Sequence, residues 1–252
     1  MAIVFGGQSR FLANKRRIFL WIGLLLLLGL FVLSFNSKIF SGLGLWGSVI
    51  FLAISYTAIK MSNIFERHYG RLDNGIFGEG VIANELKKLP DGYVVFRGLK
   101  IGEHQDIDCA VAGPNGVFAV EVKSHKGKIG YDGQRLTRNG RWFEKDFFHE
   151  TMAEAVGLRA LMARTAKLDI FVEPIIVFSS NAALVQLGSQ KIKNCYVIGK
   201  AWLNELITSA VSERLDGPII LRIAKALTPL VDDRRKDEKL IALEKKLAPQ
   251  QI

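Results

Sequence analysis

Acidic residues are absent from the first 60 positions, although the chain of 252 residues carries 24 of them. Six Lys and Arg side chains lie in that stretch, so six of the net ten positive charges sit there and only four remain over residues 61–252. The positive excess is therefore mainly a membrane-topology signal, not a sign of a nucleic-acid partner. Cysteine is scarce as well: Cys109 and Cys195 cannot build a disulfide framework in a chain this long and fit a reducing compartment. The four histidines, His68, His104, His125 and His149, have no metal-ligand spacing. There is no Ser-His-Asp order, Walker loop, zinc pattern, internal repeat or low-complexity segment. The chain as a whole is 49% hydrophobic and 23% charged, which excludes wholesale disorder. At about 150 residues per domain the length allows one large domain, or a medium one with attachments.

The apolar excess is concentrated. Ile18–Phe35 is an uncharged stretch of 18 residues and Ile39–Ile59 another of 21, separated only by Asn36-Ser37-Lys38. At about 1.5 Å per residue each helix can cross a hydrocarbon core about 30 Å thick, the first only just. The pair reads as a two-helix transmembrane hairpin. Arg10, Lys15, Arg16 and Arg17 precede it, Lys60, Arg67 and Arg71 follow it, and Lys38 alone occupies the turn. Positive charge stays inside, so both termini and residues 61–252 are expected on the cytoplasmic face of the cell (inner) membrane. A cleaved signal peptide in place of the first span would leave the second as a stop-transfer helix with the same outcome. Gly42, Gly44 and Gly47 match a GxGxxG fingerprint, but no strand precedes them, and glycine is common where membrane helices pack.

After a linker over 61–76, a domain is expected over 77–215, with a helical, charged extension over 216–252 and a basic segment over 1–17. Phe77–Leu89 has a helical stripe of Val81, Ile82, Leu86 and Leu89, ended by Pro90-Asp91-Gly92. Strands are expected at Tyr93–Leu99, Ile107–Ala112, Val117–Val122, Phe171–Phe178 and Cys195–Ile198. Helices are expected at Thr151–Leu168, Trp202–Leu215 and Ile219–Leu230, and a solvated helix or frayed tail from Asp232 to Lys246. This order describes an α/β fold, a mixed sheet flanked by helices.

The turn Gly113-Pro114-Asn115-Gly116 sets a register. If it closes symmetrically, Ala112 pairs with Val117, Asp108 lies opposite Glu121, and Asp106 opposite Lys123. All four side chains then share one face, with Phe118, Val120 and Val122 on the other. Opposed Cβ atoms about 4.5–5.5 Å apart let two carboxylates hold one hard cation. Three carboxylates facing one lysine repel one another, and a bound Mg²⁺ or Mn²⁺ would remove the conflict and activate water for attack on a phosphodiester. Lys123 could hold that water or stabilise the charge that develops. Glu-x-Lys alone carries nothing, since Glu244-Lys245-Lys246 also matches it. A surface ion pair on a half-exposed hairpin is the competing reading of the same residues.

Gly78-Glu79-Gly80, Asp106-Ile107-Asp108, Gly113-Pro114-Asn115-Gly116-Val117-Phe118 and Glu121-Val122-Lys123 together resemble the nuclease-related domain (NERD). That family belongs to the PD-(D/E)XK, restriction-endonuclease-like superfamily, and the resemblance runs from about Phe77 to Phe178. It implies a restriction-endonuclease-like fold, Asp108 and Glu121 as metal ligands, Lys123 as the catalytic lysine and Glu79 as the acid of the first helix. Asp106 falls where the family often has Glu or Gln. The family often has His where this chain has Cys109, and Pro-x-x-Gln where it has Thr151-Met152-Ala153-Glu154, so Glu154 adds negative charge near the site. On the residues themselves, Glu79 in a first helical turn is equally well explained by the helix dipole.

Lys126, Lys128, Arg135, Arg138, Arg141 and Lys145 surround Tyr131, Trp142 and Phe143. They make either a strand-binding rim, with bases stacked on the aromatics, or a solvated hairpin whose aromatics pack inward. The resulting expectation is a membrane-anchored, Mg²⁺- or Mn²⁺-dependent nuclease acting on DNA, with nucleic acid and the lipid bilayer as partners. The alternatives are an inactive nucleic-acid- or protein-binding module on the same fold, and a nuclease acting on RNA.

Overall fold

The computed structural model describes residues 1–7, 18, 21–25, 28–29, 56–57, 60, 74–102, 106–210 and 212–247. It divides into two compact units, Met1–Arg10 with Phe77–Ile252, and Phe11–Ile76. In the second unit the described residues between 18 and 60 are helical. The expected hairpin and its glycine pattern otherwise lie outside the described residues, among which no helix is long and apolar enough to cross a membrane.

The first unit is built on a six-stranded mixed sheet in the order β1-β2-β3-β4-β8-β10. Its strands are β1 (Ile3–Phe5), β2 (Val94–Lys100), β3 (Asp106–Gly113), β4 (Gly116–Lys123), β8 (Val172–Phe178) and β10 (Tyr196–Gly199). A smaller sheet, β7-β6-β5-β9, is made of β5 (Gly127–Tyr131), β6 (Leu136–Arg138), β7 (Arg141–Trp142) and β9 (Ala183–Val185). The segment that carries the basic residues from Lys126 to Arg141 is therefore mostly a sheet of its own. Helix α1 covers 74–86, α2 Phe147–Thr165, α3 Leu203–Ser209, α4 Gly217–Leu227 and α5 Lys236–Leu247.

One face of the large sheet packs under Leu158, Leu161 and Met162 of α2, Ile220, Ile223 and Leu227 of α4, and Leu243 of α5. The other face packs Val95, Val111, Phe118 and Val120 under Ile82 and Leu86 of α1 and Leu203 and Ile207 of α3. Ile129, Leu136, Phe143, Phe147, Phe148 and Phe178 form a third cluster beneath the small sheet.

The N-terminus departs most from expectation. Ile3–Phe5, within the segment read only as basic, pairs in parallel with Val94–Phe96 as the edge strand. The charged C-terminal segment is no frayed tail. In α5, Lys239 donates to the Val4 carbonyl at 2.7 Å and pairs with Asp233 at 2.5 Å, and Asp233 accepts from the Gly6 amide at 3.0 Å. Helix α2 begins four residues before the expected Thr151, because Asp146 caps it by accepting from the Phe148 and His149 amides.

Candidate carboxylate and lysine site

The hairpin has the expected register. Gly113 pairs with Gly116, Ala112 with Val117 and Cys109 with Val120. Gly116 takes a positive φ of 124°, and a Cβ on Gly113 would run into the Tyr93 ring, so both ends of the turn require glycine. Beyond Cys109 the ladder stops. The Val122 amide there donates at 2.9 Å to the Asp108 carboxylate, which keeps Asp108 beside Glu121. Cys109 faces the opposite, apolar side and is fully buried, which pushes its thiol up.

Asp106 does not join them. It pairs with Lys100 on β2 and lines a separate cavity of about 410 Å³ with Arg97, Lys100 and Asp232. The expected opposition to Lys123 fails because β3 leaves β4 at this point and continues only along β2.

Lys123 is the hub. Its Nζ lies 2.5 Å from Glu121 Oε1, 3.2 Å from Glu150 Oε2 and 4.2 Å from the centre of the Phe147 ring. Glu150 uses its other oxygen to hold Lys145 at 3.1 Å. Glu79 arrives from α1 on the other side of the sheet and is buried. Its approach depends on Gly78, where a Cβ would stand 2.6 Å from Ser179 Oγ and 3.3 Å from Ser124 Cβ; nothing lies within 4 Å of the equivalent point on Gly80.

The electrostatics record an excess of negative charge. Burial, then the charges of Glu121 and Glu79, push Asp108 well above the usual carboxylate range. Burial, then the charge of Glu121, raises Glu154 to about 9, and the two share a hydrogen bond. Glu154 is therefore a neutral acid at pH 7, and the expectation that it adds negative charge is corrected by its own desolvation. Its Oε2 is buried without a hydrogen-bond partner. Burial lowers Lys123, but the Glu121 charge and hydrogen bond and the Glu150 charge outweigh this, so the ammonium is held up. Burial raises Glu150, yet the two lysines bring it below its ordinary value.

The structure thus brings together Asp108, Glu121, Lys123, Glu79 and Glu154. Glu150 and Phe147 were not anticipated. The available signal was helical spacing, since Glu150 and Glu154 are four apart and face the same way once α2 begins at Phe147. Among the described residues, no group of three His, Cys, Asp or Glu side chains is placed to hold a metal ion as it stands.

The rim residues Lys126, Lys128, Arg135, Arg138, Arg141 and Trp142 are all exposed, on or beside the small sheet. The aromatics divide. Phe143 is buried and Tyr131 packs edge-on to Phe148, whereas Trp142 is 58% exposed. Trp142 donates to Asp132 and lies under Arg135, whose guanidinium is 5.4 Å from the ring centre. His125 links rim to site, its ring 4.9 Å from Phe143 and 5.8 Å from Phe147.

Residues 74–179 match the family model of NERD, the nuclease-related domain. The NERD match includes α1, the β3–β4 hairpin, the small-sheet strands β5 to β7, α2 and β8, and so every residue of the lysine and carboxylate cluster. No curated protein and no solved structure matches the chain.

Proposed function

We propose that this chain is a membrane-anchored nuclease that hydrolyses DNA phosphodiester bonds with the help of Mg²⁺ or Mn²⁺. The observation that carries the reading is the gathering of Asp108, Glu121 and Glu154 about Lys123, with Glu79 close enough to raise Asp108, inside the NERD segment. A purely structural cluster gains nothing from four buried or half-buried acids beside one lysine, because each either keeps a desolvated, repelled charge or must take up a proton to avoid it.

The donor set suits a hard divalent cation in kind. Its donors are carboxylate oxygens, and one of them, Glu154 Oε2, is buried without a partner. Asp108 and Glu121 would hold the ion, which supplies charge neutralisation and polarisation of a phosphoryl oxygen when bound. Lys123 would orient the attacking water and stabilise negative charge developing on the phosphoryl group. Glu79 approaches the site from α1 and adds its charge beside Asp108. The exposed bases from Lys126 to Arg141 would track the phosphate backbone, with the exposed Trp142 beside them as a stacking surface.

Membrane anchoring is supported by the uncharged stretches and by Trp21, Leu24, Leu25 and Leu28, which are 58–65% exposed on helical residues. Because β1 and β2 belong to one sheet, residues 3–5 and 94–100 lie on one side of any membrane. An even number of crossings by the intervening stretch would fit this pairing, and the flanking Lys and Arg favour the cytoplasmic side. A binding module that kept the fold is favoured by one observation, that among the described residues no three His, Cys, Asp or Glu side chains are placed for a metal.

The deciding experiment uses the full chain in detergent micelles, since a piece starting after the apolar stretches would lack β1. Supercoiled plasmid and a structured RNA are each incubated with Mg²⁺ or Mn²⁺, beside Glu121→Ala and Lys123→Ala. Metal-dependent nicking of the plasmid, lost in both variants, is expected. Cleavage of RNA alone would move the substrate, and no cleavage with no metal affinity would leave the binding module.

A further inference from the structure

We propose that Glu150 is the positioning residue for Lys123, an inference that rests on the nuclease reading of the site. Among the described residues, the Lys123 ammonium is held by Glu121, Glu150 and the Phe147 ring. Glu121 is committed elsewhere in that reading, because its carboxylate faces the acid cluster and would serve a cation. An ammonium on a four-carbon stem has no preferred direction of its own. Phe147 contributes a face and no hydrogen-bond acceptor. Only Glu150 can then hold the lysine head in place while Glu121 serves the cation.

The fold gives Glu150 the rigidity for this. It stands in the first turn of a 19-residue helix capped by Asp146, and Phe147, one turn from Thr151, is buried in the cluster beneath the small sheet. Its two oxygens are divided between Lys123 at 3.2 Å and Lys145 at 3.1 Å. Lys145 is largely exposed, so the second contact sets the carboxylate's rotation and contributes little energy of its own. The Glu150 side chain is 31% exposed, against 12% for Lys123 and Glu121, and so occupies the open side of the buried pair.

The test is Glu150→Gln in the full chain, alone and combined with Lys123→Ala, with Arg164→Gln, an exposed residue in the last turn of α2, as a control. Glutamine preserves size and the helix cap but removes the charge that holds the ammonium. Loss of one charge-assisted hydrogen bond predicts a fall in kcat of about tenfold or more with KM little changed. It also predicts no further loss when Glu150→Gln is added to Lys123→Ala, and only a small effect of Arg164→Gln. A second readout needs neither metal nor turnover. Acylation of Lys123 by an amine-reactive ester, followed by peptide mass spectrometry, should be several-fold faster in Glu150→Gln than in the wild type, with Lys87 as an internal reference.

An unchanged kcat, an additive loss in the Lys123→Ala background, or unchanged Lys123 acylation would overturn the proposal. So would a gain in activity or a lower KM, which would mean that Glu150 competes with substrate phosphate for the lysine. If the wild type cleaves nothing, the nuclease reading fails by itself and the acylation rates alone decide whether Glu150 holds Lys123.

Discussion

Glu154 shows how burial can reverse the meaning of a residue. As a letter in the sequence it adds a negative charge where the resembling family has Gln; in the folded protein it is a neutral acid hydrogen-bonded to Glu121. A protonated carboxyl and an amide are close in size, and each offers one donor and one acceptor toward the site. The pH dependence follows from the direction of the shift. Glu154 titrates near 4.5 in the unfolded chain and near 9 when folded, so the stability it contributes is full below 4.5 and lost as pH rises through the interval. Asp108 is shifted in the same sense. In the presence of EDTA, the melting temperature should therefore fall as pH is raised from about 5 to about 9. Glu154→Gln should flatten that slope and melt higher than the wild type at the alkaline end. An equally steep slope in Glu154→Gln would mean that the carboxyl is ionised in the folded protein.

Elements owe their placement here to close approaches more than to propensity. Helix α1 comes near the ends of β4 and β8 because Gly78 presents no side chain to Ser179 and Ser124, and this brings Glu79 to the site. Gly80, in the same short motif, has open space around it. Alanine at Gly78 should cost about 1–3 kcal/mol through overpacking, less if Ser179 rotates away. Alanine at Gly80 should be neutral or stabilise by about 0.5–1 kcal/mol, because glycine is a poor helix former. Paired urea titrations would read both, and equal effects at the two positions would show that space does not separate them. The β3–β4 hairpin was legible from its turn because a register is a local property, carried by a few residues closing on themselves. The start of α2 was less so. The expected helix starts at Thr151, so Glu150 lies outside it, whereas the Asp146 cap brings it into the first turn.

At the scale of the whole molecule, the two ends of the chain complete one core. Phe5 is fully buried and stacks on Phe96 with ring centres 5.4 Å apart, while α5 holds β1 from outside through Lys239. The Met1 amine and Lys246 meet at Asp91. Phe5→Ala should destabilise the first unit by about 3–5 kcal/mol, as large-to-small core changes do. A chain beginning at residue 62 should expose the edge of β2 and aggregate. A chain in which residues 1–7 are joined by a flexible linker to position 74 should remain folded and soluble. Circular dichroism and size-exclusion chromatography of the two would check this, and a stable monomer from the shorter piece would show that β1 is dispensable.

By itself the sequence determined what rests on neighbouring residues: the uncharged stretches, the turn and its register, the shared face of Asp108, Glu121 and Lys123, and the apolar face behind them. Periodicity and turn chemistry act over a few positions and leave a trace that can be read. The tertiary structure decided what depends on contacts between distant segments. It placed Ile3–Phe5 beside Val94–Phe96, drew Asp106 away to Lys100, set Glu150 against Lys123, and neutralised Glu154 by burying it among other acids. Strand pairing across some 90 residues and the desolvation of a carboxyl both arise only when the core closes. No local pattern carries them, because the energy that fixes them belongs to the assembled neighbourhood and not to the segment.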